Sequence, residues 1–391
     1  MEWMDIEKQY TSGLYGKRDV VVVRGQKAHV WDEAGREYID CVAGIGVANA
    51  GHSHPAIAAA IAEQAQTLMT CPELYYNDRR AELYQKLAEI MPDGLNRFFL
   101  CNSGTEAVEG AIKLARLSTG RQGVVAATHA FHGRTMGALS ATHKKDYREP
   151  FGPLVPGFSH VKYNDIAELE AAVTTDTAAV ILEVVQGEGG IHLADGDTIR
   201  AARAICDKQG ALLILDEVQT GFGRTGRWFA CQHHDVVPDL LTMGKAIAGG
   251  MPMGAVAIGP RIEGIKVGLH GSTFGGNPLA CAASIAALNV YQSERLPERA
   301  TEMGDYFRER LEEINSPLIR EVRGIGLMIG VELKIRAAQV VEALMQRGVL
   351  AHTSGTTVMR ILPPLVITRE DIDIVIEALT DTLTNMENRE N

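Results

Sequence analysis

The sequence has 391 residues, 46% of them hydrophobic and 22% charged, with a net charge of −11. A chain of this length buries a large core and divides into two domains, while its acidic balance argues against nucleic acid or an anionic membrane as partner. Its apolar runs are strand-sized and far short of a membrane span, and residues 1–19, mixed in charge with no apolar signal core, predict a cytoplasmic protein.

In chain order, residues 15–40 read as a β-rich entry broken by the turn signals Arg24-Gly25-Gln26 and Asp32-Glu33-Ala34-Gly35. A Gly-rich loop follows, and Pro55 opens an Ala-rich helix over 56–69. A second helix covers 79–90 and stops at Met91-Pro92-Asp93-Gly94. A strand over 97–101 runs into Asn102-Ser103-Gly104-Thr105-Glu106-Ala107 and a helix to 119. Such a turn leaves N–H groups free at the positive end of the helix, which suits either a phosphate or an ordinary serine cap.

A strand over 123–127 leads to His129-Ala130-Phe131-His132-Gly133-Arg134-Thr135. Phe131 suits stacking on a cofactor ring and Arg134 suits clamping a carboxylate; a core aromatic and a surface arginine are the plain alternatives. Residues 149–158 read as a Pro/Gly-rich loop. A strand over 178–185 ends in Gln186-Gly187-Glu188-Gly189-Gly190, where Glu188 is either aimed at a crevice or solvated.

Two further apolar runs, 211–215 and 239–243, have the character of buried parallel strands. The first ends in Asp216 and the second in Gly244-Lys245. Ligands in open α/β sheets sit at the carboxyl ends of strands, so a carboxylate and a lone lysine share one crevice mouth. Pyridoxal phosphate is a candidate reason: it forms a Schiff base with a lysine, and an acid pairs with its pyridinium nitrogen. The run Gly221-Phe222-Gly223-Arg224-Thr225-Gly226 matches a dinucleotide fingerprint but opens no helix, and reads as a flexible loop.

Beyond Lys245 come a strand over 251–258, the loop His270-Gly271-Ser272-Thr273-Phe274-Gly275-Gly276-Asn277 and an Ala-rich helix over 279–292. From 294 the chain is more charged: a helix over 298–314, a strand pair at 319–323 and 326–333, another helix, and Met359-Arg360-Ile361-Leu362-Pro363-Pro364. This predicts a separate α+β domain over 291–391 carrying Arg360, beside a large cofactor-binding domain over 51–290, with 1–50 joining the smaller unit. Six scattered cysteines without C-x-x-C read as reduced thiols, and the pairs His52/His54 and His233/His234 lack partners at ligand spacing, so no metal is expected.

Taken together, Asn102-Ser-Gly-Thr-Glu-Ala, Phe131-His-Gly-Arg-Thr, Glu183-Val-Val-Gln-Gly-Glu-Gly-Gly, Leu215-Asp-Glu-Val-Gln-Thr-Gly-Phe-Gly-Arg-Thr-Gly, the Lys245 loop and Thr273-Phe-Gly-Gly-Asn-Pro resemble the class III, or ω-amino-acid, aminotransferases. The motifs stand in family order along essentially the whole chain. The resemblance implies an α/β fold-type I pyridoxal-phosphate transferase, with a mainly parallel seven-stranded sheet flanked by helices and a smaller α+β domain.

The resemblance also implies roles. Lys245 carries the cofactor and shuttles a proton, Asp216 pairs with the pyridinium nitrogen, and Gln219 bonds the ring hydroxyl. Ser103, Gly104 and Thr105 hold the phosphate, Phe131 stacks on the ring, and Thr273 reaches the phosphate of the other subunit of a homodimer. Arg360 takes the α-carboxylate of glutamate, Glu188 neutralises Arg360 when a terminal amine is the donor, and Arg134 holds the distant carboxylate. Ser272, Tyr15 and Ile45 are placed near the substrate.

Within the family, Tyr15-Gly-Lys-Arg-Asp, Thr128-His-Ala-Phe-His-Gly-Arg-Thr-Met-Gly and the segment around Arg360 are most similar to acetylornithine aminotransferases and to enzymes aminating a carrier-protein-bound aminoadipate semialdehyde. The aliphatic Ile45 favours acetylornithine or 4-aminobutyrate over ornithine. The implied reaction moves the terminal amine of N-acetylornithine to 2-oxoglutarate, with an acidic amino-group carrier protein as a partner in the alternative. An aminomutase or decarboxylase on the same scaffold would give no net transfer.

Overall fold

The computed structural model describes residues 3–390. At its centre is a seven-stranded sheet in the spatial order Arg97–Cys101, Gly254–Ile258, Leu240–Met243, Leu212–Asp216, Thr177–Glu183, Gly123–Ala127, Phe158–Val161. Gly254–Ile258 runs antiparallel to both neighbours, and the remaining pairs are parallel. Every residue of Thr177–Glu183 and Leu212–Asp216 is buried. Helices cover both faces of such a sheet, which is why these strands read as unbroken aliphatic runs rather than alternating ones.

The local chemistry sets the helix ends. Ser103 caps Gly104–Thr119 by accepting from Glu106 N, Glu106 bonds back to Asn102 N at 2.6 Å, and Gly120 ends the helix at φ 68°. Asn277 caps Pro278–Ser293 in the same manner. The reciprocal bonds satisfy amides that the first turn leaves without partners.

Two four-stranded sheets stand outside the central one. Ile319–Ile325, Met328–Leu333, Val358–Ile361 and His352–Ser354 form an antiparallel sheet. Val22–Gln26, His29–Asp32 and Glu37–Asp40 form the other, completed by Val349–Leu350 lying parallel to Glu37–Asp40. Chain segments some three hundred residues apart therefore share one sheet.

Several elements go beyond the sequence reading. The loop expected at 149–158 gives way to the edge strand Phe158–Val161, and the helices Trp3–Tyr10, Ile166–Ala172, Gly196–Gln209 and Arg369–Glu390 complete the fold. The Gly221–Gly226 run, expected to be a flexible loop, is packed instead: Phe222 and Arg224 are fully buried. The guanidinium of Arg224 donates to Leu327 O at 3.0 Å, Pro363 O at 2.5 Å and Asn49 Oδ1 at 2.6 Å. A buried cation needs that many acceptors, and acquiring them fixes the turn. Among the described residues no helix is long and apolar enough to cross a membrane.

Candidate active site

The carboxyl ends of Gly123–Ala127, Thr177–Glu183, Leu212–Asp216 and Leu240–Met243 open on a cleft of about 290 Å³, where Lys245, Asp216, Gln219, Glu188, Phe131 and Gly104 converge. A larger cavity of about 580 Å³ lies beside the N-terminal helix. Its polar side chains are already occupied: Lys17 pairs with Glu7 and Lys8 with Asp19, His52 meets Asp40, and Arg18 donates to Ala351 O. The smaller cleft differs: among the described residues, Lys245 and Arg134, which line it, have no hydrogen-bond or ion-pair partner.

Asp216 is 5% exposed and receives three donors: His132 Nδ1 on Oδ2 at 2.7 Å, and Thr242 Oγ1 and Val218 N on Oδ1, each at 3.1 Å. Burial opposes a charge on His132, but the hydrogen bond and charge of Asp216, with the charge of Glu183, outweigh it and raise the imidazole's pKa. His132 thus backs the carboxylate and fixes its orientation in the cleft. Glu183, beside it, is pushed up to about 7 by burial and by the charge of Asp216, against the pull of His132.

Lys245 opens a single 3-10 turn, Lys245–Ala248, with φ at 45°. Its amine makes no hydrogen bond among the described residues. Burial lowers its pKa below the ordinary lysine value, partly offset by the charges of Asp216 and Glu188. A nucleophilic amine needs that shift to be neutral at working pH.

The residues fit pyridoxal phosphate on three counts. First, the cleft contains the N-terminus of Gly104–Thr119 with the Thr105 hydroxyl beside it, 2.8 Å from Thr135 Oγ1; open helix amides favour a phosphate. Second, the walls are cut to backbone: a Cβ on Gly104 would lie 2.6 Å from Val218 Cγ1, and one on Gly133 would strike Thr105 Oγ1. Third, the buried Gln219 Oε1 has no partner among the described residues, as expected of an acceptor that would meet a ring hydroxyl. Among the described residues no group of three or more His, Cys, Asp or Glu could hold a metal ion.

Arg360, on Val358–Ile361, is 1% exposed, and its Nη1 donates to Glu188 Oε1 at 2.5 Å. Among the described residues its Nε and Nη2 are buried without a partner. Burial would raise the pKa of Glu188, but the charge and hydrogen bond of Arg360 dominate and lower it. The glycine-flanked loop carrying Glu188 is pinned to the same small sheet through Ser354 Oγ, which donates to Glu188 O at 2.7 Å.

The other sequence candidates are not all brought to this cleft. Arg134 is at its mouth, its guanidinium 3.5 Å from the ring centroid of Tyr147. The loop containing Ile45 abuts Gln219 through Gly46. Ser272 and Thr273 line a separate cavity of about 380 Å³ with Asn102 and Glu106, and Ser272 Oγ accepts from Asn102 Nδ2 at 3.0 Å. Tyr15 is 77% exposed and outside the cleft. His132, Glu183, Thr242 and Tyr147 were not singled out from sequence. The first two stand inside the motifs quoted above, whereas Thr242 and Tyr147 carry no such signal.

Comparison with known proteins identifies the family. Residues 13–383 match the model of the family described as aminotransferase class-III. The chain is 52% identical to the [LysW]-aminoadipate semialdehyde transaminase of Deinococcus radiodurans, over 100% of this chain and 92% of that one. It is 50% identical to an acetylornithine aminotransferase of Methanosarcina acetivorans, over 95% and 94%. Among solved structures it matches the ornithine aminotransferase of Toxoplasma gondii ME49 with a TM-score of 0.95 and 36% identity, over 99% and 95% of the two chains. The acetylornithine aminotransferase of Elizabethkingia anophelis matches with a TM-score of 0.87 and 35% identity, over 98% of each. The chain belongs to the class-III aminotransferases, the pyridoxal-phosphate enzymes of fold type I.

Proposed function

We propose that the chain transfers the terminal amine of N-acetylornithine to 2-oxoglutarate, yielding N-acetylglutamate semialdehyde and glutamate. The observation that carries this reading is the Glu188–Arg360 pair beside Lys245, with two N–H-bearing atoms of Arg360 unused. An enzyme of this type must accept one substrate whose reacting carbon has no carboxylate and another whose reacting carbon has one. Arg360 binds that carboxylate when it is present, and Glu188 occupies Arg360 when it is not; a lone buried guanidinium would be costly.

Bound pyridoxal phosphate supplies the electron sink that makes the substrate carbon acidic. Ser103, Gly104 and Thr105 hold its phosphate, Gln219 takes its ring hydroxyl, Phe131 covers the ring, and Asp216, backed by His132, meets the ring nitrogen. Lys245 Nζ accepts the proton released from the amine-bearing carbon. Arg134 takes the carboxylate at the far end of either substrate, and Ile45 leaves room for the acetylated arm.

The same reading makes the enzyme a cytoplasmic homodimer. The dimer's support is the exposed apolar set Leu74, Tyr75, Tyr76 and Phe274, with Arg80 bonding both Tyr75 O and Gly276 O and so joining the two segments; a second copy would cover this set as Thr273 reaches that copy's phosphate site. The relative named [LysW]-aminoadipate semialdehyde transaminase, at 52% identity, favours a second reading in which the donor amine is bound to an acidic carrier protein. Single-turnover loss of the cofactor's visible absorbance decides between them, with N-acetylornithine, ornithine, 4-aminobutyrate and a carrier-bound lysine as donors. Fastest conversion by N-acetylornithine at low concentration supports the first reading, and conversion by the carrier-bound amine alone replaces it with the second.

A further inference from the structure

Arg134 is held in an unusual way for an exposed arginine. Among the described residues it forms no ion pair and no hydrogen bond. Its guanidinium carbon lies 3.5 Å from the ring centroid of Tyr147 and 5.6 Å from that of Phe131. Those two rings meet edge to face, with centroids 6.2 Å apart and planes at 85°. Tyr147 sits in the short turn Lys145–Arg148, just after the helix that follows Arg134 in the chain.

Two ways of holding an arginine have opposite consequences for binding. A carboxylate partner takes the in-plane N–H fork, the same edge that a substrate carboxylate needs. An aromatic face takes the flat side of the guanidinium and leaves all five N–H groups directed outward. The second arrangement restrains the side chain while keeping its binding edge open, and so reduces the ordering cost when a carboxylate arrives.

We propose that Tyr147 is a positioning and specificity-determining residue: by stacking on Arg134 it fixes how far from Lys245 a substrate carboxylate is held, and thereby selects donors that carry one. Phe131 ties this platform to the cofactor ring, and Lys144, whose Nζ lies 3.8 Å from Asp146 Oδ2, also approaches the Tyr147 ring, at 4.7 Å from its centroid. The inference rests on the reading of Arg134 as the distant-carboxylate site.

The test uses the loaded enzyme and two donors, N-acetylornithine and N-acetylputrescine, which differ only in that carboxylate. The quantity read is the ratio of their kcat/KM values. Tyr147→Ala and Tyr147→Leu, the second filling volume without a π face, are expected to lower the ratio about tenfold, mainly through KM. Tyr147→Phe, which keeps the face, is expected to restore it to within about twofold. Arg134→Ala should lower it further than either. A fall with Arg134→Ala but a wild-type ratio in both Tyr147→Ala and Tyr147→Leu overturns the role of Tyr147, as does a Tyr147→Phe ratio as low as that of Tyr147→Ala. A ratio unmoved by Arg134→Ala overturns the underlying carboxylate reading, and the inference with it.

Discussion

Asp216 and Glu183 occupy paired positions on neighbouring parallel strands, yet the fold treats the two carboxyl groups in opposite ways. Asp216 meets an imidazole, a hydroxyl and an amide. Among the described residues Glu183 meets only two backbone amides, Phe131 N at 2.9 Å and Gly187 N at 3.1 Å. With burial against it and the charge of Asp216 alongside, Glu183 is pushed up to about 7.

A measurable pH dependence of stability follows. The folded-state pKa of Glu183 is raised from the ordinary 4.5 to about 7, so between those values the folded chain holds a proton that the unfolded chain has lost. Stability from this group is full below the lower value and falls as pH rises to the upper one, by on the order of 3 kcal/mol. Glu183→Gln cannot titrate, and any fixed packing cost cancels in the comparison. The melting temperature of Glu183→Gln should therefore gain on wild type between pH 5 and pH 8. A constant gap would show that Glu183 is ionised throughout.

Removing the donor behind Asp216 should impair both half-reactions. A hydrogen bond to a charged group contributes about 1.5–3 kcal/mol, so His132→Ala is expected to slow each half-reaction about 10- to 100-fold and weaken cofactor retention. Stopped-flow absorbance and equilibrium dialysis measure the two effects. Rates within twofold of wild type would reduce His132 to a packing residue.

The Glu188–Arg360 pair predicts an asymmetric loss. Glu188→Ala leaves Arg360 buried without its anion while a terminal amine reacts, but glutamate supplies one. The amine-donor half-reaction should slow by tenfold or more and the glutamate half-reaction by no more than about threefold. Single-turnover rates for each substrate decide it, and equal losses in both would contradict a switch.

Arg224 tests the packed turn. Arg224→Lys keeps the charge but gathers its donors on one nitrogen, where Arg224 reaches Leu327 and Pro363 from Nη1 and Asn49 from Nη2, so it should destabilise the loaded enzyme by about 2–3 kcal/mol, read as a fall in melting temperature. An unchanged melting temperature would mean that the three acceptors find water instead.

Much of this site was legible because local chemistry announces it. The Ser103-Gly104 turn, the glycines around Glu188 and the acid closing Leu212–Asp216 each mark a strand end by residue type alone. The edge strand Phe158–Val161 was hidden by the Pro/Gly-rich run before it. Arg369–Glu390 was overlooked although Ile372, Val375, Ile376, Leu379 and Leu383 are all buried along it, a helical spacing its many charges obscured. The pairing of His132 with Asp216 spans 84 residues, and no local pattern encodes a contact of that kind. Arg224 misled for a related reason: a glycine-rich run reads as mobile until its distant acceptors are known.

The sheet that joins Glu37–Asp40 to Val349–Leu350 has a consequence for the order of assembly during synthesis. The strands that present Asp216 and Lys245 can pair once the chain has emerged to about Ile258, but that mixed sheet and the strand of Arg360 wait for about the last ninth of the polypeptide. The wall of the cleft that suits the cofactor, with Arg134 at its mouth, can therefore form on the ribosome before Arg360 is there to meet Glu188. Cofactor present during translation would then stabilise a partly made enzyme that still lacks Arg360.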